Sequence, residues 1–454
     1  MTSGKRIWAP ASAGVTEFKD LPVRQINVIP AEAGIQTRLT ARDGIGRTKE
    51  MQRLASATEH DATSAPQAAP RLWVERLTLT HFRSYPSLTL ELAPEPVVLT
   101  GPNGSGKTNV LEAVSLLAPG QGLRQAPLAD LAHAAGDGSW SVSARVHTAI
   151  GPVTIGTGQS AAEPNGERAS GRIVRIDGET RTGSGALGDY VEMVWVTPAT
   201  DGLFTGPASE RRRFLDRLIV CFDSGHRTRA GRFERAMAQR NRLLSDGVTR
   251  SAQLDGLEIV MAEMGVAMAA ARAEAVAALR SLIDARRVRD PESPFPWSDV
   301  RLEGAIDQDL AHRAAIDVED AYARRLSEVR DRDRAAGRAL DGPHRSDLVV
   351  THGPKATLAR HSSTGEQKAL LMGLLLAHAE LVAARRDGLA PLLLLDEVTA
   401  HLDADRRAAL FDELLRLGTQ AWMTGTDSQS FASLSGKAQF WRVRDGRVTR
   451  SDAA

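Results

Sequence analysis

Eight consecutive residues, Gly101-Pro-Asn-Gly-Ser-Gly-Lys-Thr108, fit the pattern G-x-x-x-x-G-K-[ST]. Glycines at these spacings leave backbone N–H groups unobstructed, so several can converge on one anion, and a helix starting there adds the positive end of its dipole. Gly101, Pro102, Asn103, Gly104, Ser105 and Gly106 are therefore expected to cradle phosphates, with Lys107 reaching the β and γ phosphates of ATP and Thr108 offering a hydroxyl to Mg²⁺. The competing reading is a glycine turn in which Lys-Thr is coincidental. Context opposes it: the apolar run PVVLT (96–100) leads directly in, and Val110, Leu111, Val114 and Leu117 keep the spacing of one helical face.

A second constellation is Leu392-Leu-Leu-Leu-Asp396-Glu397, a fully apolar strand ending in two acids. Such a strand belongs in a buried parallel sheet and delivers carboxylates to its carboxyl edge, where nucleotides bind. Asp396 is expected to ligate Mg²⁺ and Glu397 to polarise the attacking water as general base. Acids at a strand end are common in α/β proteins; it is the phosphate loop beside them that points to nucleotide hydrolysis.

The third is Ser363-Thr-Gly-Glu-Gln-Lys368, followed at once by the apolar stretch Ala369 to Leu381. Serine with glutamate three residues on is an ordinary helix cap. The segment also resembles the signature of ABC ATPases, in which Ser and Gly at a helix N-terminus face the γ-phosphate held by the opposite subunit. That resemblance assigns Ser363 a catalytic role and Gly365 a nucleotide contact. It lies 33 residues before Asp396, and Ala400-His-Leu-Asp403 beyond resembles the ABC D-loop. Ser362 stands where transporters carry Leu, and Thr424-Gly-Thr-Asp427 stands at the switch-histidine position without a histidine, so the γ-phosphate sensor must differ.

These residues need a scaffold, and the sequence outlines one. WVERLTLTHF and SLTLEL alternate around Tyr85-Pro86 as a hairpin, and WSVSARV, VTIGTG and RIVRIDG between 140 and 196 read as further antiparallel strands. Residues 209–245 read as helix, a helical stripe runs from Leu257 to Ile283, and a more charged helix spans about Ile316 to Leu340, able to pair with the stripe as an antiparallel hairpin. Strand and helix alternation resumes at Asp347. The resulting division is 1–70, an extension expected to be disordered; 71–206, first part of an ATPase lobe; 207–338, a helical second lobe; and 339–450, the rest of the ATPase lobe. Within 1–70, NVIPAEAGIQ (27–36) resembles a translated interspersed repeat, and Met51 is the better start. Gly183 to Gly188 matches G-x-G-x-x-G but has no acidic residue about twenty positions on, and reads as loop. The alternating DRDR at 331–334 reads as a solvated helix face.

Composition narrows the setting. With 42% hydrophobic and 25% charged residues in 454, and the longest apolar stretch broken by His378 and Glu380, no membrane span is expected. A lone cysteine, Cys221, excludes an intrachain disulfide framework and a cysteine metal site, and fits a reducing, cytoplasmic compartment. Basic and acidic residues number 57 and 56, so a nucleic acid would have to be held by local patches. Arg211, Arg212 and Arg213 are one candidate, with ion pairing to Asp216 and Asp223 as the alternative.

From Lys107 to Ser363 the chain runs 256 residues, longer than in transport ATPases and far shorter than in SMC proteins with long coiled coils. LTLTHFRSY (77–85), TPATDGLFTGPASERRRFLD (197–216), DGPHRSDL (341–348), STGEQK and LLLLDEVTAHLD are collinear, and together they make the chain resemble the RecF family of bacterial recombination mediators over residues 71–450. Ala199 departs from it, where an acid is expected. The resemblance implies an α/β fold: an ABC-type P-loop ATPase head, a mixed sheet flanked by helices with an antiparallel β subdomain, plus a helical second lobe. It also implies slow ATP hydrolysis acting as a switch, with ATP and Mg²⁺ as cofactors, an ATP-dependent homodimer, binding to gapped DNA at single-strand/duplex junctions, and work with RecR and RecO to load RecA. By the same resemblance Arg83 is placed near the nucleotide and Arg345 near the composite site. The competing functions are a transport nucleotide-binding subunit, opposed by the missing histidine and the helical insert, and an ABC ATPase carrying a DNA nuclease, which would need another carboxylate cluster.

Overall fold

Four leucines in a row can all be buried only if both faces of their strand are covered. The computed structural model, which describes residues 71–161 and 171–451, shows how this is met. The strands are β1 (Trp73–Phe82), β2 (Tyr85–Glu91), β3 (Val97–Thr100), β4 (Trp140–Thr148), β5 (Gly151–Gln159), β6 (Ile173–Ile176), β7 (Glu179–Arg181), β8 (Met193–Val196), β9 (Ser298–Glu303), β10 (Asp347–His352), β11 (Thr357–Leu358), β12 (Leu392–Leu395), β13 (Ala421–Gly425), β14 (Gln439–Arg444) and β15 (Arg447–Arg450). One sheet has the order β15-β14-β3-β13-β12-β8, parallel throughout except for β15. In β12, Leu392 and Leu394 pack into one core, and Leu393 and Leu395 into another, each at most 1% exposed. Removal from water on both faces of this strand contributes roughly 2 kcal/mol per leucine.

The helices are α1 (Lys107–Ser115), α2 (Ala208–Val220), α3 (His226–Ser245), α4 (Ala252–Arg289), α5 (Ala305–Leu310), α6 (Ala315–Glu328), α7 (Arg330–Ala336), α8 (Thr364–Arg385) and α9 (Ala404–Leu417). One core joins the α2, α8 and α9 face of the parallel sheet to the C-terminal half of α4, while α1 and the antiparallel sheet β2-β1-β4-β5-β6-β7 cover the other face. A third, smaller sheet has the order β11-β10-β9. Helix α8 is long and apolar enough to cross a membrane, yet 78% of its most apolar window is buried inside the protein, so its hydrophobicity serves the core. The described residues all fall in the unit Ala68–Ala454. The extension over 1–70, with its repeat-like stretch and Met51, lies outside the described residues.

The helical region differs from expectation in two places. Residues 209–245 form two helices, because Cys221-Phe-Asp-Ser-Gly225 supplies turn-forming Asp, Ser and Gly, which break the pattern. The helix expected over 316–340 breaks at Val329 into α6 and α7 and stops at Gly337, whose φ of 66° closes the end. Phe233 packs on Gly265 while Arg240 pairs with Glu258, so α3 and α4 run antiparallel. Arg330 pairs with Asp255 and Glu258, which brings the start of α7 to the first part of α4. Arg240, fully buried, also pairs with Asp333 at 2.7 Å. The DRDR segment is therefore a solvated face at Asp331, Arg332 and Arg334 only, with Asp333 buried at 1% exposure. The G-x-G-x-x-G segment forms a short 3₁₀ turn, Ser184–Asp189.

Candidate nucleotide site

The loop between β3 and α1 is shaped by glycines that tolerate no side chain. A Cβ on Gly101, at φ +154°, would lie 2.1 Å from the Val443 carbonyl oxygen, and one on Gly106, at φ +109°, 2.7 Å from the Tyr85 hydroxyl. Pro102, Asn103 and Gly104 form its exposed crest, while Ser105 is buried and its Oγ has no hydrogen-bond partner among the described residues. Lys107 Nζ donates to the carbonyls of Gly101 at 2.7 Å and Pro102 at 2.9 Å, so the ammonium lies folded across the loop. Burial lowers its pKa, opposed by the charges of Glu397 and then Asp396.

The carboxylates arrive from the strand two places away. Because β3, β13 and β12 are parallel neighbours, their carboxyl ends open on one edge, and Thr108 Oγ1 lies 3.1 Å from both Asp396 oxygens. Between them β13 contributes Thr424, fully buried, whose hydroxyl donates to Asp396 Oδ1 at 2.7 Å and accepts from the Glu397 N–H at 2.7 Å. Glu397 has a φ of 50°, a left-handed conformation uncommon outside glycine and asparagine, which this hydrogen bond helps to hold. Lys368, the last residue of the signature-like motif, is buried with Nζ 3.4 Å from the Glu397 carbonyl and 3.6 Å from Asp201 Oδ2. The motif's helix is thereby tied to the loop that carries Glu397. Thr424, Lys368 and Asp201 were not assigned from sequence; the position of Thr424 at a strand's carboxyl end, where a histidine was sought, was the available signal.

Lys107, Thr108, Asp396 and Glu397 thus share one edge, while among the described residues Ser363 and Gly365 form no hydrogen bond to any of the four. Ser363 caps α8 in a reciprocal box with Glu366, which also pairs with Lys355. Ser363 stays exposed, and a Cβ on Gly365 would lie 3.8 Å from the His401 carbonyl oxygen in the D-loop-like segment. Arg83 forms a two-pronged pair with Glu112 of α1, both bonds 2.9 Å, and donates to the Asp130 carbonyl. It therefore braces the phosphate-loop helix against the β1–β2 turn. Arg345 is exposed beside Ser346.

Two of the three clustered arginines are used structurally, with partners other than the expected acids. Arg211 holds Asp347 at 2.7 and 2.8 Å, which raises its pKa, and Arg212 donates to the Ser346 carbonyl. Asp216 instead binds His226 and Arg272, and Asp223 binds Arg229. Arg213 is exposed. The stretch with the departing Ala199 folds as a 3₁₀ turn, Pro198–Thr200, capped by Thr197 and Thr200.

The donor set suits a nucleotide with Mg²⁺: hydroxyl and carboxylate oxygens together, a buried Ser105 hydroxyl in the loop with no partner among the described residues, and a lysine hydrogen-bonded to loop carbonyls. Among the described residues no group of three or more His, Cys, Asp or Glu forms a cage of protein ligands. Magnesium is usually held by one or two carboxylates plus substrate phosphates, so that absence is compatible with it.

A parallel sheet with this loop and these acids at one edge, an antiparallel subdomain on one face and helices on the other, defines an ABC/SMC-type ATPase head. The family model described as RecF/RecN/SMC N terminal domain matches residues 73–445. The "DNA replication and repair protein RecF" of Mesorhizobium japonicum is 52% identical over 84% of this chain and 98% of its own length, and that of Allorhizobium ampelinum 52% identical over 84% and 100%. The chain belongs to the RecF family. Solved structures of the recombination mediator protein RecF of the RecFOR pathway, one as RecF-ATPrS and one as RecF-ATP, share its fold, with TM-scores of 0.72 and 0.71 at 21% identity. They cover 84% and 86% of this chain and 99% and 100% of their own.

Proposed function

We propose that this protein is an ATP-dependent DNA-binding switch of recombinational repair and replication restart in the cytoplasm. The observation that carries the ATPase reading is the meeting of Thr108 and Asp396 across 288 residues of sequence, at 3.1 Å. Gly101 to Gly106 cradle the triphosphate, Lys107 swings from its loop carbonyls to the β and γ phosphates, and Thr108 and Asp396 hold Mg²⁺, which supplies charge neutralisation when bound. Glu397 accepts a proton from the attacking water. Arg83 acts on the nucleotide only through α1.

Ser363 is exposed and Gly365 half-buried at the start of a 22-residue helix, and among the described residues neither of them hydrogen-bonds to the phosphate loop. That placement supports a homodimer around two ATP molecules, in which each chain's Ser363 meets the γ-phosphate bound by the other. In this reading residues 71–206 and 339–450 form the ATPase lobe and 207–338 the helical lobe. Binding to gapped DNA at single-strand/duplex junctions, and work with RecR and RecO in loading RecA, rest on family membership.

The test is Glu397→Gln beside Asp396→Asn, by size exclusion with Mg²⁺-ATP and gapped DNA. Glu397→Gln keeps volume and hydrogen bonding but loses basicity, so hydrolysis falls roughly a hundredfold or more and an ATP-bound dimer accumulates on DNA. Asp396→Asn weakens Mg²⁺-ATP binding and traps no dimer. A monomeric Glu397→Gln chain with parental turnover overturns the assignment.

A further inference from the structure

Arginine is costly to bury without a partner, because its charge loses hydration and gains nothing in return. A cavity of about 680 Å³ is lined by four arginines, the half-buried Arg217 and, at its rim, the exposed Arg213, Arg227 and Arg235. It lies along β8, the edge strand of the parallel sheet, between the loop after α1 and the helices α2 and α3. Among the described residues none of the four has a carboxylate within ion-pair distance or donates a hydrogen bond, whereas their neighbours Arg211, Arg229 and Arg240 all do. Arg217 is the clearest case. Its Nε is buried without a partner, and its guanidinium is stacked 4.7 Å from the Trp195 ring centre and 5.6 Å from that of Phe214. Burial pushes its pKa down to about 10.

The acids that line the cavity are mostly engaged elsewhere. Glu192 pairs with Arg386, and Asp216 with His226 and Arg272; only the exposed Glu234 adds charge near Arg227. His226, fully buried, lines the cavity at the start of α3 with Nδ1 unpartnered. Arg227 reaches over Gly120, where a Cβ would lie 2.7 Å from its Nη1. The cavity shares no residue with the phosphate loop.

We propose that this cavity is a second anion site, which binds a multiply charged phosphate group. Stacking fixes the Arg217 fork, the other three guanidiniums have free donors, and the start of a 20-residue helix adds its dipole end. The volume admits an oligophosphate or a single terminal nucleotide and is too small for a duplex. The site is independent of the ATPase reading.

Tripolyphosphate is the probe, titrated calorimetrically into the full chain. The parental protein is expected to bind two per chain. Lys107→Met should lose the phosphate-loop site and keep the second, whereas Arg227→Gln/Arg235→Gln should keep the first and weaken the second by about tenfold or more, as lost charged hydrogen bonds imply. Arg217→Met should remove the second site too, and unchanged circular dichroism of the exposed double variant separates lost binding from lost folding. Competition by a 5′-phosphorylated oligonucleotide, but not its unphosphorylated twin, would identify a strand end as the source; competition by neither would identify a free oligophosphate. A single site abolished by Lys107→Met, with the arginine variants at parental affinity, overturns the proposal.

Discussion

Replacing Thr424 by valine preserves shape and removes one hydroxyl. In the fold that hydroxyl makes two contacts of 2.7 Å, donating to Asp396 and accepting from the Glu397 amide. The first is a bond to a charged group, worth roughly 1.5–3 kcal/mol, and the second a neutral bond worth about 1 kcal/mol. Thr424 is fully buried, so no water replaces them, and the variant should lose about 2–4 kcal/mol of stability. The catalytic consequence is separate. Asp396 loses a fixed orientation and Glu397 loses the bond that helps hold its left-handed backbone, so kcat should fall roughly ten- to hundredfold, at 1.36 kcal/mol per tenfold. Thr424→Ser keeps the hydroxyl and should restore most of the rate, which a purely packing role would not predict, since serine packs worse than valine. Steady-state hydrolysis and urea denaturation of both variants decide the matter. A valine variant with parental kcat and midpoint would refute the bridging role.

Ser363→Arg should leave ATP binding within about twofold while preventing ATP-dependent dimerisation, because it obstructs the exposed start of α8 and leaves the phosphate loop untouched; equilibrium sedimentation with ATP reads this, and a dimer would reduce Ser363 to a helix cap worth about 1 kcal/mol. His378 is fully buried with Nε2 2.8 Å from the Leu218 carbonyl, and burial pushes its pKa down to about 4. The unfolded chain, with a pKa of about 6.5, takes up the proton first, so stability present at pH 7 should decline by up to roughly 3 kcal/mol as pH falls from 6.5 toward 4. His378→Gln, which keeps a donor, should flatten that window in denaturation midpoints at pH 7 and 5; an equal slope in both proteins rules out His378 as its origin.

The nucleotide site was legible in sequence wherever its chemistry is contiguous. The phosphate loop declares itself within eight residues because the backbone that surrounds an anion is local, and four leucines before Asp396-Glu397 declare a strand covered on both faces because burial is written in the strand's own side chains. Sheet order decided what the sequence left open. Thr424 joins the two acids only because β13 is inserted between β3 and β12, and Lys368 reaches Glu397 only because α8 packs under that sheet. The three arginines show the same limit. Adjacent in sequence, they diverge around a helix: Arg211 meets Asp347, Arg212 meets a carbonyl one residue earlier, and Arg213 faces the cavity with no partner among the described residues. Periodicity states which side of an element must be covered. What covers it, and which charges are left without a counter-ion, depends on contacts between elements that the chain does not place side by side, and those were set only by the tertiary packing.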